Sequence, residues 1–136
     1  MKNKALISFS FDDGRIDNYE ILYPLLKQYN LPATLNITTG FVKGDNTLKH
    51  LAPAAPMNLG MIKELFQDNL IEIASHGYYH RNTKEDILSG QEELLKELNT
   101  DKFTSYGNGF ASPGTALEID AYMKMKQDIL MKFMVI

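Results

Sequence analysis

Two adjacent carboxylates, Asp12 and Asp13, end the apolar run ALISFSF at residues 5–11 and are followed by Gly14. Two of the three histidines, His76 and His80, stand four residues apart directly after another apolar run, IEIAS at 71–75. Two imidazoles and one carboxylate are a common donor set for a divalent cation that keeps open coordination positions. On a helix or in a tight loop, a spacing of four brings both rings to one side. The carboxylate pair can then divide its work, one group binding the cation and the other taking a proton from a nearby activated water as general base. Adjacent side chains on extended backbone point in opposite directions, which suits that division, and a cation offsets their repulsion. Alone, Asp13-Gly14 reads as an ordinary turn, and a lone histidine reads as a satisfied polar residue. Their joint placement after two different strands points to a metal site instead. A third segment, GFASPGT at 109–115, is by composition only a Gly/Pro loop. At the same end of a sheet it can offer backbone N–H groups to a developing oxyanion.

These residues need a scaffold that brings strand ends together. Residues 4–11 suit a buried parallel strand, ATLNIT at 33–38 a second, and IEIAS at 71–75 a third. YGNGFAS at 106–112 reads as a weaker fourth strand and ILMKFMVI at 129–136 as a fifth. The first intervening helix is expected to begin near Tyr23, with Pro24 in its first turn and Leu22, Leu25, Leu26 and Tyr29 on one stripe. Residues 40–57 read as a long loop. Asn58 caps a helix carrying Met61, Ile62, Leu65 and Phe66 at core spacing. Thr83 and Asp86 resemble a capping box that opens a helix with Ile87, Leu88, Gln91, Leu94, Leu95 and Leu98 on one side. Thr115 and Glu118 suggest a further helix start. Strands alternating with helices predict parallel βα units, in which ligand chemistry gathers at the C-terminal ends of the strands.

The 136 residues fit one domain, 1–136, and fall short of the roughly 250 of a closed (β/α) barrel. A composition 44% hydrophobic and 23% charged is that of an ordinary globular protein. A net charge of -3 makes no electrostatic case for nucleic acid or an anionic membrane. Without cysteine there is neither a disulfide nor a thiolate metal site. Met1-Lys2-Asn3-Lys4 precedes only a short apolar run, neither signal peptide nor membrane span. As written, the chain is expected in the cytoplasm, or in the cell envelope or secreted if a leader was trimmed.

Taken in order, these segments resemble the polysaccharide deacetylases of the NodB-homology type, carbohydrate esterase family 4. SFDDG at 10–14 is similar to the family's first motif, Thr-Phe/Tyr-Asp-Asp-Gly, with Ser10 in place of Thr. HGYYH at 76–80 is similar to its second motif, His-Ser/Thr-x-x-His. NLPATLNIT resembles the family's second strand, and LGMIKELFQDNLIEIASH the helix and strand that lead into the second motif. The resemblance spans nearly all of residues 5–115. It implies an α/β fold of parallel βα units from a distorted, TIM-like (β/α) barrel, of which this length would hold about the N-terminal half to two-thirds. It assigns Asp12 as general base and Asp13, His76 and His80 as ligands of a divalent metal ion, zinc in the first place, with cobalt or manganese also acceptable to the set. It places Phe110, Ser112, Pro113 and Gly114 on the substrate and oxyanion side. The implied reaction removes acetyl groups from an acetylated oligo- or polysaccharide, an N-acetyl sugar polymer above all.

Three departures qualify that expectation. Gly77 stands where the family has Ser or Thr, which removes a side-chain hydrogen bond beside the ligands. The third motif, commonly Arg-Pro-Pro-Tyr, is here closer to a Phe-Ala-Tyr-Pro variant, so the arginine that would orient the base is absent. The histidine that acts as the family's general acid has no counterpart in order, because His50 precedes the second motif. The chain alone is therefore expected to be weak or inactive. An open sheet ending in ILMKFMVI predicts a second copy, or another chain, covering that edge. The alternative function is a non-catalytic metal- or glycan-binding module derived from a deacetylase. A metallophosphoesterase fits the ligands loosely but lacks a phosphate-cradling loop.

Overall fold

The computed structural model describes residues 5–103 and 109–113. Three parallel strands, β1 (Phe9–Phe11), β2 (Ala33–Ile37) and β3 (Ile71–Ser75), form a sheet in the order β1-β2-β3. The register sets Phe11 opposite Leu35 and Ile37 opposite Ser75. Asp12, Thr38 and His76 thus leave the sheet at the same end. Beyond β3, Phe110 makes one parallel bridge to Ser75. This is the described part of the expected fourth strand.

The sheet is dry on one face, whereas the other leaves Thr34 half-buried and Glu72 exposed. Leu35, Ile37 and Ile73 are at most 1% exposed. Helix α3 (Leu59–Phe66) buries Ile62 and Leu65 against them, and α4 (Lys84–Leu98) buries Ile87, Leu94 and Leu95. Both helix starts follow the sequence expectation: Asn58 Oδ1 accepts the Met61 N–H at 3.0 Å, and Thr83 Oγ1 accepts the Asp86 N–H at 3.3 Å. The Asp86 carboxylate, however, reaches back past Thr83 into the preceding loop rather than completing a local capping box.

Three local expectations are corrected. Only Phe9–Phe11 of the run 4–11 pairs with β2, and Leu6 and Ile7 are 98% and 78% exposed. The register explains this: β2 begins opposite Phe9, directly after Pro32, so the earlier residues have no facing strand. Helix α1 (Tyr23–Tyr29) begins where expected, after a π-helical turn over Asn18–Leu22. It buries Leu26 while leaving Leu25 and Tyr29 47% and 64% exposed. Leu22 and Leu26 form one row of the helix; Leu25 and Tyr29 form the next, turned off the sheet. The expected loop 40–57 also holds two short helical turns, α2 (Thr39–Val42) and a 3-10 turn at Asn46–Leu48.

The fifth strand expected at 129–136, the helix opened by Thr115, and Gly114 lie outside the described residues, as do 104–108 and Lys4. Among the described residues, no helix is long and apolar enough to cross a membrane.

Candidate metal centre

The chain leaves β1 through two consecutive left-handed residues, Asp13 at φ 73° and Gly14 at φ 84°. Aspartate is among the few residues that tolerate this region, and glycine enters it freely. The two carboxylates are therefore separated by a tight turn rather than by extended backbone. The turn is tied to its surroundings: Thr38 N–H donates to the Asp13 carbonyl at 3.3 Å and Met57 N–H to the Gly14 carbonyl at 2.8 Å.

His76 leaves β3 with its N–H donating to the Ile37 carbonyl at 2.8 Å, and its side chain is 3% exposed. Its Nδ1 lies 3.0 Å from the Ala111 carbonyl oxygen. A carbonyl only accepts, so Nδ1 carries the proton and Nε2 presents its lone pair. The next residues form a loop clamped on two sides. Thr39 and Gly40 N–H groups donate to the Gly77 and Tyr78 carbonyls, each at 3.0 Å. On the other side α4 passes so close that a Cβ at Gly90 would lie 2.3 Å from the Gly77 carbonyl carbon. His80 ends the loop in the left-handed region at φ 58°.

These two segments converge. Asp13 Oδ1 lies 3.5 Å from His80 Nε2 and 3.9 Å from His76 Nε2. The three residues can place one ligand atom each within 4.8 Å of one another. Ligands about 2.1 Å from a common tetrahedral centre stand about 3.4 Å apart, so small adjustments suffice for zinc. The donor atoms fit a cation on a second ground: Asp13 Oδ1 is buried and accepts no hydrogen bond. A buried, unsatisfied carboxylate oxygen facing two imidazole nitrogens is costly unless a cation sits between them. Burial, reinforced by neighbouring His76, holds His80 below its ordinary pKa against the opposing pull of Asp13, Asp12 and Asp86. That favours the neutral imidazole, the form that binds metal.

Asp12 points elsewhere. Its Oδ1 accepts from the Asn36 side-chain amide at 2.7 Å, and the same amide donates to Ser10 Oγ at 2.8 Å. Asp12 is exposed, so its other oxygen remains open. A cleft of about 450 Å³ begins at Asp12 and Asp13 and runs past Arg15, Asn18 and Leu25.

In the third segment, Ala111 N–H donates to the Ser75 carbonyl at 2.9 Å, and Ser112 Oγ donates to Asn82 Oδ1 at 2.7 Å. Phe110 is half-buried and Pro113 fully buried. Three contributors escaped the sequence reading. Ala111 acts through its carbonyl, which no side-chain pattern reveals. Asn36 is a polar residue inside an otherwise apolar strand, a visible signal without a visible partner. Asp86 was legible only as a helix cap.

A sequence profile for the polysaccharide deacetylase family matches residues 1–108. The chain is 32% identical over 101 residues to the poly-beta-1,6-N-acetyl-D-glucosamine N-deacetylase of Staphylococcus aureus strain N315, a match covering 71% of this chain and 33% of that relative. Its fold resembles the Streptococcus pyogenes deacetylase PplD, solved in complex with acetate, with a TM-score of 0.68 at 23% identity, over 93% of this chain and 54% of that one. It likewise resembles the BpsB deacetylase domain from Bordetella bronchiseptica, with a TM-score of 0.67 at 17% identity, over 88% of this chain and 59% of that one. The chain thus spans about a third of the curated relative's length and over half of each solved one.

Proposed function

This chain belongs to the polysaccharide deacetylase family, and from that premise we propose that Asp12, Asp13, His76 and His80 form the centre of a metal-dependent hydrolase that removes N-acetyl groups from a polymer of N-acetylated sugar. The observation that carries the reading is the unpaired, buried Asp13 Oδ1 set 3.5 and 3.9 Å from two imidazole nitrogens, with Asp12 beside it. The S. aureus relative is a deacetylase of poly-beta-1,6-N-acetyl-D-glucosamine, and a β-linked N-acetylglucosamine oligomer is the first substrate to try.

Asp13, His76 and His80 would hold the ion, zinc first. When bound, it supplies Lewis-acid polarisation of the acetyl carbonyl and makes water more acidic. The remaining work falls to the protein. The Ala111 carbonyl keeps the His76 proton on Nδ1 and so keeps Nε2 available. Asn36 holds one oxygen of Asp12, and the other takes the proton of the water attacking the acetyl carbon. Collapse of the adduct breaks the C–N bond, releases acetate and requires a proton on the departing amine. The Asp12 carboxyl group, protonated by the attacking water, can return that proton to the nitrogen. The cleft beyond Asp12 has room for a sugar unit. Retention of a hydrogen-bonded Asp12 favours an enzyme over a module that only binds.

The test is acetate release from a β-1,6-linked N-acetylglucosamine oligomer by zinc-loaded protein, followed under single-turnover conditions. Acetate release that Asp12→Ala abolishes is expected. Acetate release unchanged in Asp12→Ala would overturn the assignment of the base.

A further inference from the structure

Asp86 lies in the first turn of α4, 5% exposed, and plays no part in the metal cluster itself. Its carboxylate is spent on the backbone of the neighbouring loop. Oδ1 accepts the Tyr79 N–H at 2.7 Å and Oδ2 accepts the Arg81 N–H at 2.9 Å. Its own carbonyl accepts the Tyr78 N–H at 3.2 Å. The two amides taken by the carboxylate flank His80, whose backbone is left-handed at φ 58°. Histidine enters that region uncommonly, and surrounding bonds must hold it there. Hydrogen bonds from two amides to a buried ionised carboxylate are among the stronger ones a protein makes.

Gly77 completes the arrangement. It is left-handed at φ 82°, and a Cβ on it would lie 2.5 Å from Asp86 Oδ2. The position where the family's second motif has Ser or Thr is therefore vacated for a carboxylate arriving from α4.

We propose that Asp86 is the positioning residue for the metal ligand His80: by pinning the amides on either side, its carboxylate imposes the turn that brings Nε2 towards Asp13. The proposal rests on reading Asp13, His76 and His80 as a metal site. It makes zinc affinity depend on a side chain that never touches zinc, and to do so through His80 alone.

The experiment measures zinc dissociation constants of the intact chain by competition with a chromophoric chelator. It compares wild type, Asp86→Asn, His80→Ala and the double variant, with the visible spectrum of the cobalt form as a second readout. Asparagine keeps the shape but turns an NH₂ group towards one of the two amides. Asp86→Asn is expected to weaken zinc binding about 10–100-fold, the usual range for residues that orient a ligand, and to alter the cobalt spectrum. In the His80→Ala background it should weaken binding by no more than twofold. Unchanged affinity in Asp86→Asn, or an equal loss in the His80→Ala background, would overturn the proposal while leaving the metal site standing. Wild type that binds no zinc would overturn the metal reading and the proposal with it. Should Asp86→Asn fail to fold, amide exchange in the wild type decides: the Tyr79 and Arg81 amides are expected to be protected, and rapid exchange at either would overturn the proposal.

Discussion

Asn36, 3% exposed in the central strand, donates its side-chain amide to Asp12 Oδ1 at 2.7 Å and to Ser10 Oγ at 2.8 Å. A carboxylate only accepts, so the amide must present its NH₂ group to Asp12, and both of its hydrogens are used. A buried residue of β2 thereby aims an exposed carboxylate at the end of β1. The hydrogen bond fixes one oxygen of Asp12 and leaves the other open to solvent.

Replacing Asn36 with Leu, which keeps the branching at Cγ but removes the amide, is expected to slow acetate release about 10–100-fold, equivalent to about 1.4–2.7 kcal/mol of barrier. Zinc affinity should stay within twofold of wild type. In an Asp12→Ala background the substitution should have no further effect on the rate. A rate unchanged in Asn36→Leu would show that Asp12 needs no such restraint.

The three ligands and the base should separate by assay. Asp13→Ala, His76→Ala and His80→Ala are each expected to bind zinc weakly enough to lose it on gel filtration, measured by metal analysis. Asp12→Ala should keep it. Zinc at a hundred times its dissociation constant stabilises a folded protein by about 2.7 kcal/mol, so a chelator should lower the melting temperature of wild type and Asp12→Ala but not of the ligand variants. Metal content that survived Asp13→Ala and His80→Ala would dismantle the site.

Gly77→Ala places a side chain on a left-handed residue and drives its Cβ to 2.5 Å from Asp86 Oδ2. The conformational cost alone is about 1–2 kcal/mol. Chemical denaturation should report at least that loss, and zinc affinity should fall with it because the carboxylate is displaced. A stability equal to wild type would mean that the loop relaxes freely.

Asp68 gives a pH signature remote from the site. Lys27 first, then Tyr23 and the Leu70 N–H, hold its pKa at about 2, below the ordinary carboxylate value. Its contribution is therefore present above the unfolded value of about 4 and lost as pH falls through about 2. Lys27 is exposed, so the effect is modest. Asp68→Asn is expected to melt about 3 °C below wild type at pH 6. That gap should close between pH 4 and pH 2, and a gap constant over the range would exclude this linkage.

Much of the scaffold and the candidate cation-binding group could be read from local pattern. Apolar runs ending in Asp12-Asp13-Gly14 and in His76 located β1 and β3, and Asn58 and Thr83 marked the starts of α3 and α4. These signals survive because strand alternation, helix period and N-cap chemistry each depend on residues a few positions apart. The same patterns overstated burial at Leu6, Ile7, Leu25 and Tyr29. A run of apolar residues says that a segment can be buried, whereas burial itself depends on what faces it.

Side-chain type and order are enough to mark the groups able to bind a cation and the carboxylate pair beside them. How those groups are held depends on packing. The His76 tautomer is set by the Ala111 carbonyl 35 residues away, Asp12 by Asn36 24 residues away, and the turn at His80 by Asp86 on the next helix. Each is a hydrogen bond whose partner is backbone or a residue on another element, and those partners come within reach only when the sheet and α4 have packed.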